Sequence, residues 1–434
     1  MSLDRIFSEE NLLDYAGACV DLAVEIPECK FDTLVIPSRG AVPIFLGMIH
    51  AMHKFTSWSN SHRDFYENMG IQPMMAPLLP DNSPVTVRTE NKQRRVLLLP
   101  FTADLKLHNK TEAESIDYTR KTRAYWAEVA SAFLMPPQKR KENPHFRVFT
   151  DVILREIERR SFLAESYERF PQATQTALVD TVISGRAATD ILRSFDSIYQ
   201  RHHSTARTAE EKERADRVLP YSFLLIDEDG RKLRSDFGTY LNRKKAMGQI
   251  RMLRSLKRIV SEDEGASLEG VAAVVYPSIM EGSVNLLRGS DPFFIGAGSW
   301  HIPTEETYLE NFKKFMNLMY TAIDARYTQD YGDGKPEIAL EKFRQARQGF
   351  LDFAQTRDLL VKHRVEKDDL VKYFMINPAL GIDKPYETGS HVVHVPFTPS
   401  TTQNLISKMI NATNSCPGYQ VKYDQRRVPR TSLQ

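Results

Sequence analysis

Cysteine is scarce in this chain: three in 434 residues, Cys19, Cys29 and Cys416, with no close-pair spacing. That excludes a disulfide framework or a cysteine-rich zinc site, and the expected compartment is reducing and cytoplasmic. No apolar run approaches the length of a membrane span. The opening Met-Ser-Leu-Asp-Arg-Ile-Phe-Ser-Glu-Glu lacks the apolar centre of a signal peptide, so no membrane contact is expected. An excess of either charge is absent too: 58 Lys and Arg face 56 Asp and Glu, a net +2. Composition alone therefore makes no case for nucleic-acid binding. Internal repeats and low-complexity tracts are also missing. What remains is an ordinary soluble composition, 41% hydrophobic and 26% charged, in a chain long enough for two domains or one large decorated one.

Two segments carry the chemistry. The first runs from Ala177 to Asp190 as Ala-Leu-Val-Asp-Thr-Val-Ile-Ser-Gly-Arg-Ala-Ala-Thr-Asp. Leu178 to Ile183 is apolar apart from Asp180 and Thr181, too short for a typical helix and right for a buried strand. Gly185 permits a tight bend. Arg186 to Phe195 then has helical spacing, with Ala187, Ile191, Leu192 and Phe195 as its apolar stripe. The free N–H groups at such a helix start suit a phosphate, and a carboxylate at the adjoining strand end can hold sugar hydroxyls or Mg2+. The second segment repeats the plan: a strand at Thr33 to Ile36, then Pro37-Ser38-Arg39-Gly40-Ala41, then an apolar helix from Ile44 to His53. Two strand–glycine loop–helix units predict an α/β fold with a parallel sheet, whose ligands sit at the C-terminal strand ends. A plain turn with no ligand is the competing reading of each loop.

Together the two segments resemble the type I phosphoribosyltransferases, whose shared loop binds phosphoribosyl pyrophosphate (PRPP). Asp180-Thr181 stands where that family has two acidic residues, Val182-Ile183 follows, and Ser184-Gly185-Arg186-Ala187 stands where its phosphate loop lies. Ser38-Arg39-Gly40-Ala41 is similar to its pyrophosphate loop. Thr181 in place of a carboxylate, and Ala187 in place of a hydroxyl residue, depart from the pattern. The resemblance implies a phosphoribosyltransferase-like core with large insertions and a mainly helical C-terminal region. It implies that Ser184, Gly185, Arg186, Ala187 and Ala188 hold a 5-phosphate, with Thr189 a further donor and Thr181 at the ribose. Asp180 would position the ribose as the catalytic carboxylate, and is the one candidate for direct metal ligation. Ser38, Arg39, Gly40 and Ala41 would meet the pyrophosphate, with Mg2+ as the expected cofactor.

Along the rest of the chain, Ser8 caps a first helix whose apolar residues include Leu12, Tyr15 and Val20. Residues 1–300 read as the α/β domain, with insertions at about 56–93 and 105–170. Phe65, Tyr66, Met69, Met74 and Met75 in the first insertion either contact an acceptor or close the core. Strands are expected at Val96 to Pro100, Pro220 to Ile226, Gly270 to Pro277 and Phe293 to Gly296, and helices at Thr111 to Leu134 and Val148 to Tyr167. Thr102-Ala103-Asp104 follows the strand at 96. His202 to Arg217 reads as an exposed loop or solvent-facing helix. Asp227-Glu228-Asp229-Gly230 reads as an acidic turn, close to the ligand if its strand joins the parallel sheet. Asn242 to Val260 has helical spacing and many basic residues; it is either a solvated face or a basic helix for a partner protein or nucleic acid. Residues 301–434 read as a helical region, with helices at Thr307 to Ala325, Pro336 to Phe353 and Lys367 to Phe374, a late strand at His391 to Phe397, and a basic tail from Gln425.

Two functions compete. One is phosphoribosyl transfer to an acceptor the sequence does not identify, with release of pyrophosphate. The other is a catalytically inactive PRPP or nucleotide sensor or effector acting with a partner, as in a bacterial defence or toxin–antitoxin module. A homo-oligomer is compatible with either.

Overall fold

A computed structural model of the chain describes residues 7–37, 41–70 (58 excepted), 94–99, 112–150, 171–227, 233–257, 306–332 and 334–356, with isolated positions near 80 and 101 and short strands between 260 and 301 and at 419–423. In chain order its elements are α1 (Glu9–Glu25), β1 (Thr33–Ile36), α2 (Ala41–Phe55), α3 (Asn60–Asn68), β2 (Met69–Gly70), β3 (Arg94–Leu98), α4 (Glu112–Ala132), α5 (Pro144–Val148), β4 (Thr176–Val182), α6 (Arg186–Thr205), α7 (Ala209–Asp216), β5 (Tyr221–Asp227), α8 (Ser235–Ala246) and β6 (Ile250–Leu256). Short strands β7 to β12 lie between Val260 and His301, followed by α9 (Glu306–Tyr331), α10 (Pro336–Thr356) and β13 (Tyr419–Tyr423). The first helix begins where its cap was expected: the Ser8 hydroxyl accepts the Asn11 N–H at 3.2 Å.

Six strands form one sheet in the order β2-β3-β1-β4-β5-β6, and every neighbouring pair runs parallel. The α/β expectation is met. Parallel strands require crossover helices, which cover both faces; accordingly β1 is buried at every position and β4 at all but Thr181. Alternation divides each strand between two cores. Leu34, Ala177, Val179 and Phe223 pack with α1, α2, α9 and α10. Val35, Leu97, Leu178, Val182 and Leu224 pack on the other face with α4, α5, α6 and α8.

The helices after residue 300 belong to the first of these cores. Thirteen of the fifteen residues of α2 are buried, so this helix is apolar all round and needs cover on its outer side as well as from the sheet. The cover comes from α9: Tyr320 stacks on His50 with ring centroids 4.0 Å apart, and Asp324 accepts from His50 Nε2 at 2.7 Å. Phe315 meets Phe7 of the N-terminal arm and Phe350 of α10. Phe65, Tyr66 and Met69 are buried in the same core, which favours the core-closing reading of those positions. Likewise α4, inside the segment expected to be an insertion, is the crossover from β3 to β4, with Tyr125, Trp126 and Phe133 buried. The 202–217 segment is the end of α6 and the largely exposed α7.

One expectation is overturned. Residues 242–260 are not a basic helix. The helix α8 ends at Ala246, Gly248 turns the chain with φ +73°, and 250–256 is the edge strand β6 paired to β5. The spacing of Met247, Ile250, Leu253 and Leu256 suits a helix, but the glycine turn and the free edge of β5 decide otherwise. Several of its charges are also committed within the molecule. Lys244 is buried against Asp196, Arg254 reaches Asp14 and Asp21 of α1, and Lys257 pairs with Glu10. Met74, Met75, the Thr102–Asp104 segment, residues 151–167, Glu228 to Gly230, the greater part of the 270–277 strand, 367–374, 391–397, Cys416 and the tail from Gln425 lie outside the described residues.

Because α9 completes the first core, Phe315→Ala is expected to lower unfolding free energy by about 3–5 kcal/mol, in one cooperative urea transition for the whole α/β unit. A loss below about 1 kcal/mol, or a separate transition for the C-terminal helices, would contradict this packing.

Candidate functional site

The sheet order creates one distinctive place. Counting only the five longer strands in chain order, the sheet reads 2-1-3-4-5, one of the two common doubly wound orders. β1 and β4 are neighbours, with Thr33 beside Thr176 and Val35 beside Leu178. Yet the chain leaves β1 into α2 on one face and leaves β4 into α6 on the other. The connections part there, at the C-terminal edge, the kind of point at which open α/β sheets form a ligand crevice. β4 runs on to Val182, four residues past Leu178, whereas β1 stops one residue past Val35.

One lip of the crevice is the loop after β4. Ile183, Ser184, Arg186 and Ala187 are half-buried, while Gly185 and Ala188 are buried. Gly185 is the N-cap of α6 with φ +79°, a conformation that favours glycine. A Cβ at this position would lie 2.7 Å from Leu233 Cδ1 and 2.8 Å from Phe237 Cβ, so α8 and its lead-in close down on the turn. Having no side chain, Gly185 leaves the first turn of α6 without a side-chain cap; only the Arg186 N–H reaches the Ser184 hydroxyl, at 3.4 Å. The first turns of α1, α8 and α10 carry Glu or Asp, as the helix dipole favours. Those of α2 and α6 carry none, as is also the case for α3 and α5. Ala41 is the first residue of α2 and is buried, and Thr189 is fully enclosed within α6. The Thr189 hydroxyl oxygen makes no hydrogen bond among the described residues. Ser38, Arg39 and Gly40 lie outside the described residues.

Carboxylates stand at both neighbouring strand ends. Asp180 is 2% exposed, shares a face with Leu178 and Val182, and accepts the Thr181 N–H at 2.9 Å. Thr181, half-buried, points to the opposite face. β5 does belong to the parallel sheet, so Asp227 closes that strand at the same edge. Thr181 pairs with Leu225, and alternation sets Asp227 on the Thr181 face.

The second lip is tied to the first by a side chain the sequence reading did not single out. Phe101 donates its N–H to Pro37 O at 3.1 Å, which holds the chain after β3 against the chain after β1. Arg123 of α4, buried, donates Nε to Phe101 O at 3.3 Å and Nη1 to Asp190 Oδ2 at 2.9 Å. One guanidinium thus links the exit of β3 to the first turns of α6, and Asp190 is itself buried. Arg120, one turn earlier on α4, approaches the other oxygen, Asp190 Oδ1, at 3.6 Å. A sequence signal for Arg123 existed: it shares a helical face with Trp126 and Phe133, and a charge on an apolar face calls for a buried partner. Asp190 beside Ile191 and Leu192 carried the matching signal. On the far side of α6, the Tyr240 hydroxyl donates to Asp196 Oδ2 at 2.7 Å; burial, then the Asp196 carboxylate, push its pKa up, so it stays a donor.

Among the described residues no group of three His, Cys, Asp or Glu side chains is placed to hold a metal ion, and no helix is long and apolar enough to cross a membrane. Comparison with protein-family models, with curated proteins and with solved structures finds no match to this chain.

Two outcomes test the geometry. Gly185→Ala is expected to cost about 2–4 kcal/mol, combining left-handed strain with the clash at Leu233 and Phe237. Gly248→Ala, at a similar φ but with open space around it, should cost only about 1–2 kcal/mol. Equal costs in urea denaturation would remove the close approach at Gly185. Arg123→Gln leaves a buried carboxylate short of its main partner and should cost about 3 kcal/mol by the same measurement.

Proposed function

We propose that the β1–β4 crevice binds a phosphorylated ribose, PRPP or a close relative, as in phosphoribosyltransferase-like proteins. The observation that carries this reading is the parting of the β1 and β4 connections to opposite faces, since ligands of open α/β sheets bind at such a point. It is the same edge to which the loops around residues 40 and 185 lead. Supporting it are the acid-free first turns of α2 and α6, the uncapped N–H groups of Ala187 and Ala188, and the half-buried Ser184 and Arg186 beside them.

In this reading the first turn of α6 holds the 5-phosphate through Ser184, Gly185, Arg186, Ala187 and Ala188, and the pyrophosphate lies toward the start of α2 at Ala41. Asp227 and Thr181 meet the ribose side, with Asp180 behind them. Mg2+, when bound, would supply charge neutralisation for the leaving pyrophosphate. Mg2+ is commonly held by one or two carboxylates plus phosphate oxygens; Asp227 and Asp180 are buried on opposite faces of neighbouring strands, so either one alone, not the pair, would contribute to holding it. The chain's own part is to present fixed N–H dipoles to the leaving group and a carboxylate to the sugar as positive charge develops.

A second reading, binding without transfer, is favoured by a specific observation. Asp180 and Asp227 are both enclosed, at 2% and 1% exposure, and Thr181, the partly exposed side chain between them, carries no charge. A sensor or effector built on this crevice would keep the phosphate lip and dispense with turnover.

Calorimetric titration with PRPP and Mg2+ is the direct test, with saturable heat expected. Ala187→Glu provides the decisive variant: a carboxylate in the first turn suits the helix dipole, worth roughly 0.3–1 kcal/mol of stability, but repels a phosphate. Binding should fall by about 10-fold or more with no loss of melting temperature. Unchanged PRPP affinity in Ala187→Glu, or no heat at millimolar PRPP, would end the phosphate reading. Pyrophosphate release in the presence of candidate bases separates the enzyme from the sensor.

A further inference from the structure

The two arginines on Asp190 are not equivalent. Arg123 is buried at 3% exposure and makes a 2.9 Å hydrogen bond, which suffices to neutralise the carboxylate. Arg120 is 56% exposed and stands at 3.6 Å, a charge contact longer than a hydrogen bond. Its positive charge is surplus to what Asp190 needs.

Its position follows from the run of the helices. Ala173, just before β4, donates to Phe133 O at the end of α4, while Arg123 reaches Phe101 beyond the end of β3. Hence α4 descends from the C-terminal edge of the sheet to the opposite edge. α4 and α6 lie parallel, because Arg123 pairs with Asp190 and, further down both helices, Glu128 pairs with Arg201. One turn above Arg123, Arg120 therefore stands nearer the C-terminal edge of the sheet, beside Asp190 in the early turns of α6.

We propose that Arg120 is an anion contact of the crevice, a side chain that moves from Asp190 onto a phosphate oxygen of the ligand while Arg123 stays in place. This rests on the phosphate reading of the site and extends it to a residue outside both loop motifs. No bond is made or broken: one charge-assisted contact to a carboxylate already neutralised is exchanged for a bidentate contact to phosphate, for which a guanidinium is suited. Because the crevice then carries Arg120 and Arg186 together, it should prefer ligands with at least two phosphate charges at that lip over uncharged nucleosides.

The experiment is calorimetry of the full chain with two probes, inorganic pyrophosphate and PRPP, each with Mg2+, on wild type, Arg120→Gln, Arg120→Lys and the remote surface variant Lys245→Gln. Melting temperature is read on each, with Arg123→Gln as the structural comparison. The expected result is affinity reduced about 10-fold or more in Arg120→Gln, partly restored in Arg120→Lys and unchanged in Lys245→Gln. The melting temperature of Arg120→Gln should stay within about 1 °C of wild type, as expected for an exposed ion pair. If wild type binds and Arg120→Gln binds equally well, the role of Arg120 is overturned and the phosphate crevice stands. If Arg120→Gln lowers the melting temperature as far as Arg123→Gln, Arg120 is a structural partner of Asp190 and the proposal is likewise overturned. If wild type binds neither probe, this proposal and the phosphate reading fall together.

Discussion

The handedness of parallel crossovers is the constraint on which the rest of this molecule depends. A strand–helix–strand connection in one sheet turns to the right. A chain that moves outward from β1 in one direction and from β4 in the other must therefore send its helices to opposite faces. That single requirement places α2 among α1, α9 and α10, and α6 among α4 and α8. It also parts the backbone between β1 and β4, which gives the crevice. The site is thus a by-product of topology, later furnished by side chains.

Furnishing it requires order on both lips, and the two lips are held by different means. The α6 lip is pressed from outside by Leu233 and Phe237 onto a glycine that has no Cβ to resist them. The opposite lip is held through hydrogen bonds, Phe101 to Pro37 and then Arg123 to Phe101 and Asp190. A buried arginine is costly unless paired; here a carboxylate and a main-chain carbonyl satisfy it, and it becomes the strut between two segments far apart in sequence. The strut leaves the first turn of α6 without a side-chain cap.

The apolar character of α2 explains why the chain after residue 300 is not an appendage. A helix buried on nearly every side cannot be satisfied by the sheet and α1 alone. The His50–Asp324 bond and the Tyr320 stack mark where α9 completes the enclosure. Part of the length beyond a minimal α/β unit thus serves the core.

How much of this was legible in the residues varied with the range of the interaction that decides it. The strand at Thr33–Ile36, the strand–turn–helix at Thr176–Thr205, the Ser8 cap and the helices after residue 300 were all readable, because local periodicity, glycine and capping chemistry act over a few residues. The 242–260 stretch was misread because its spacing fits a helix, and only the open edge of β5 makes it a strand. The sequence by itself determined an α/β chain in which two apolar strands each lead into a helix, the second through a glycine turn at Gly185. Only the tertiary structure decided that β1 and β4 lie side by side, that Asp227 shares their edge, that Asp180 and Thr189 are enclosed, and that Arg120 and Arg123 meet Asp190. Those pairings join residues tens to more than a hundred positions apart, and no local pattern encodes a contact that exists only once the sheet has closed its order.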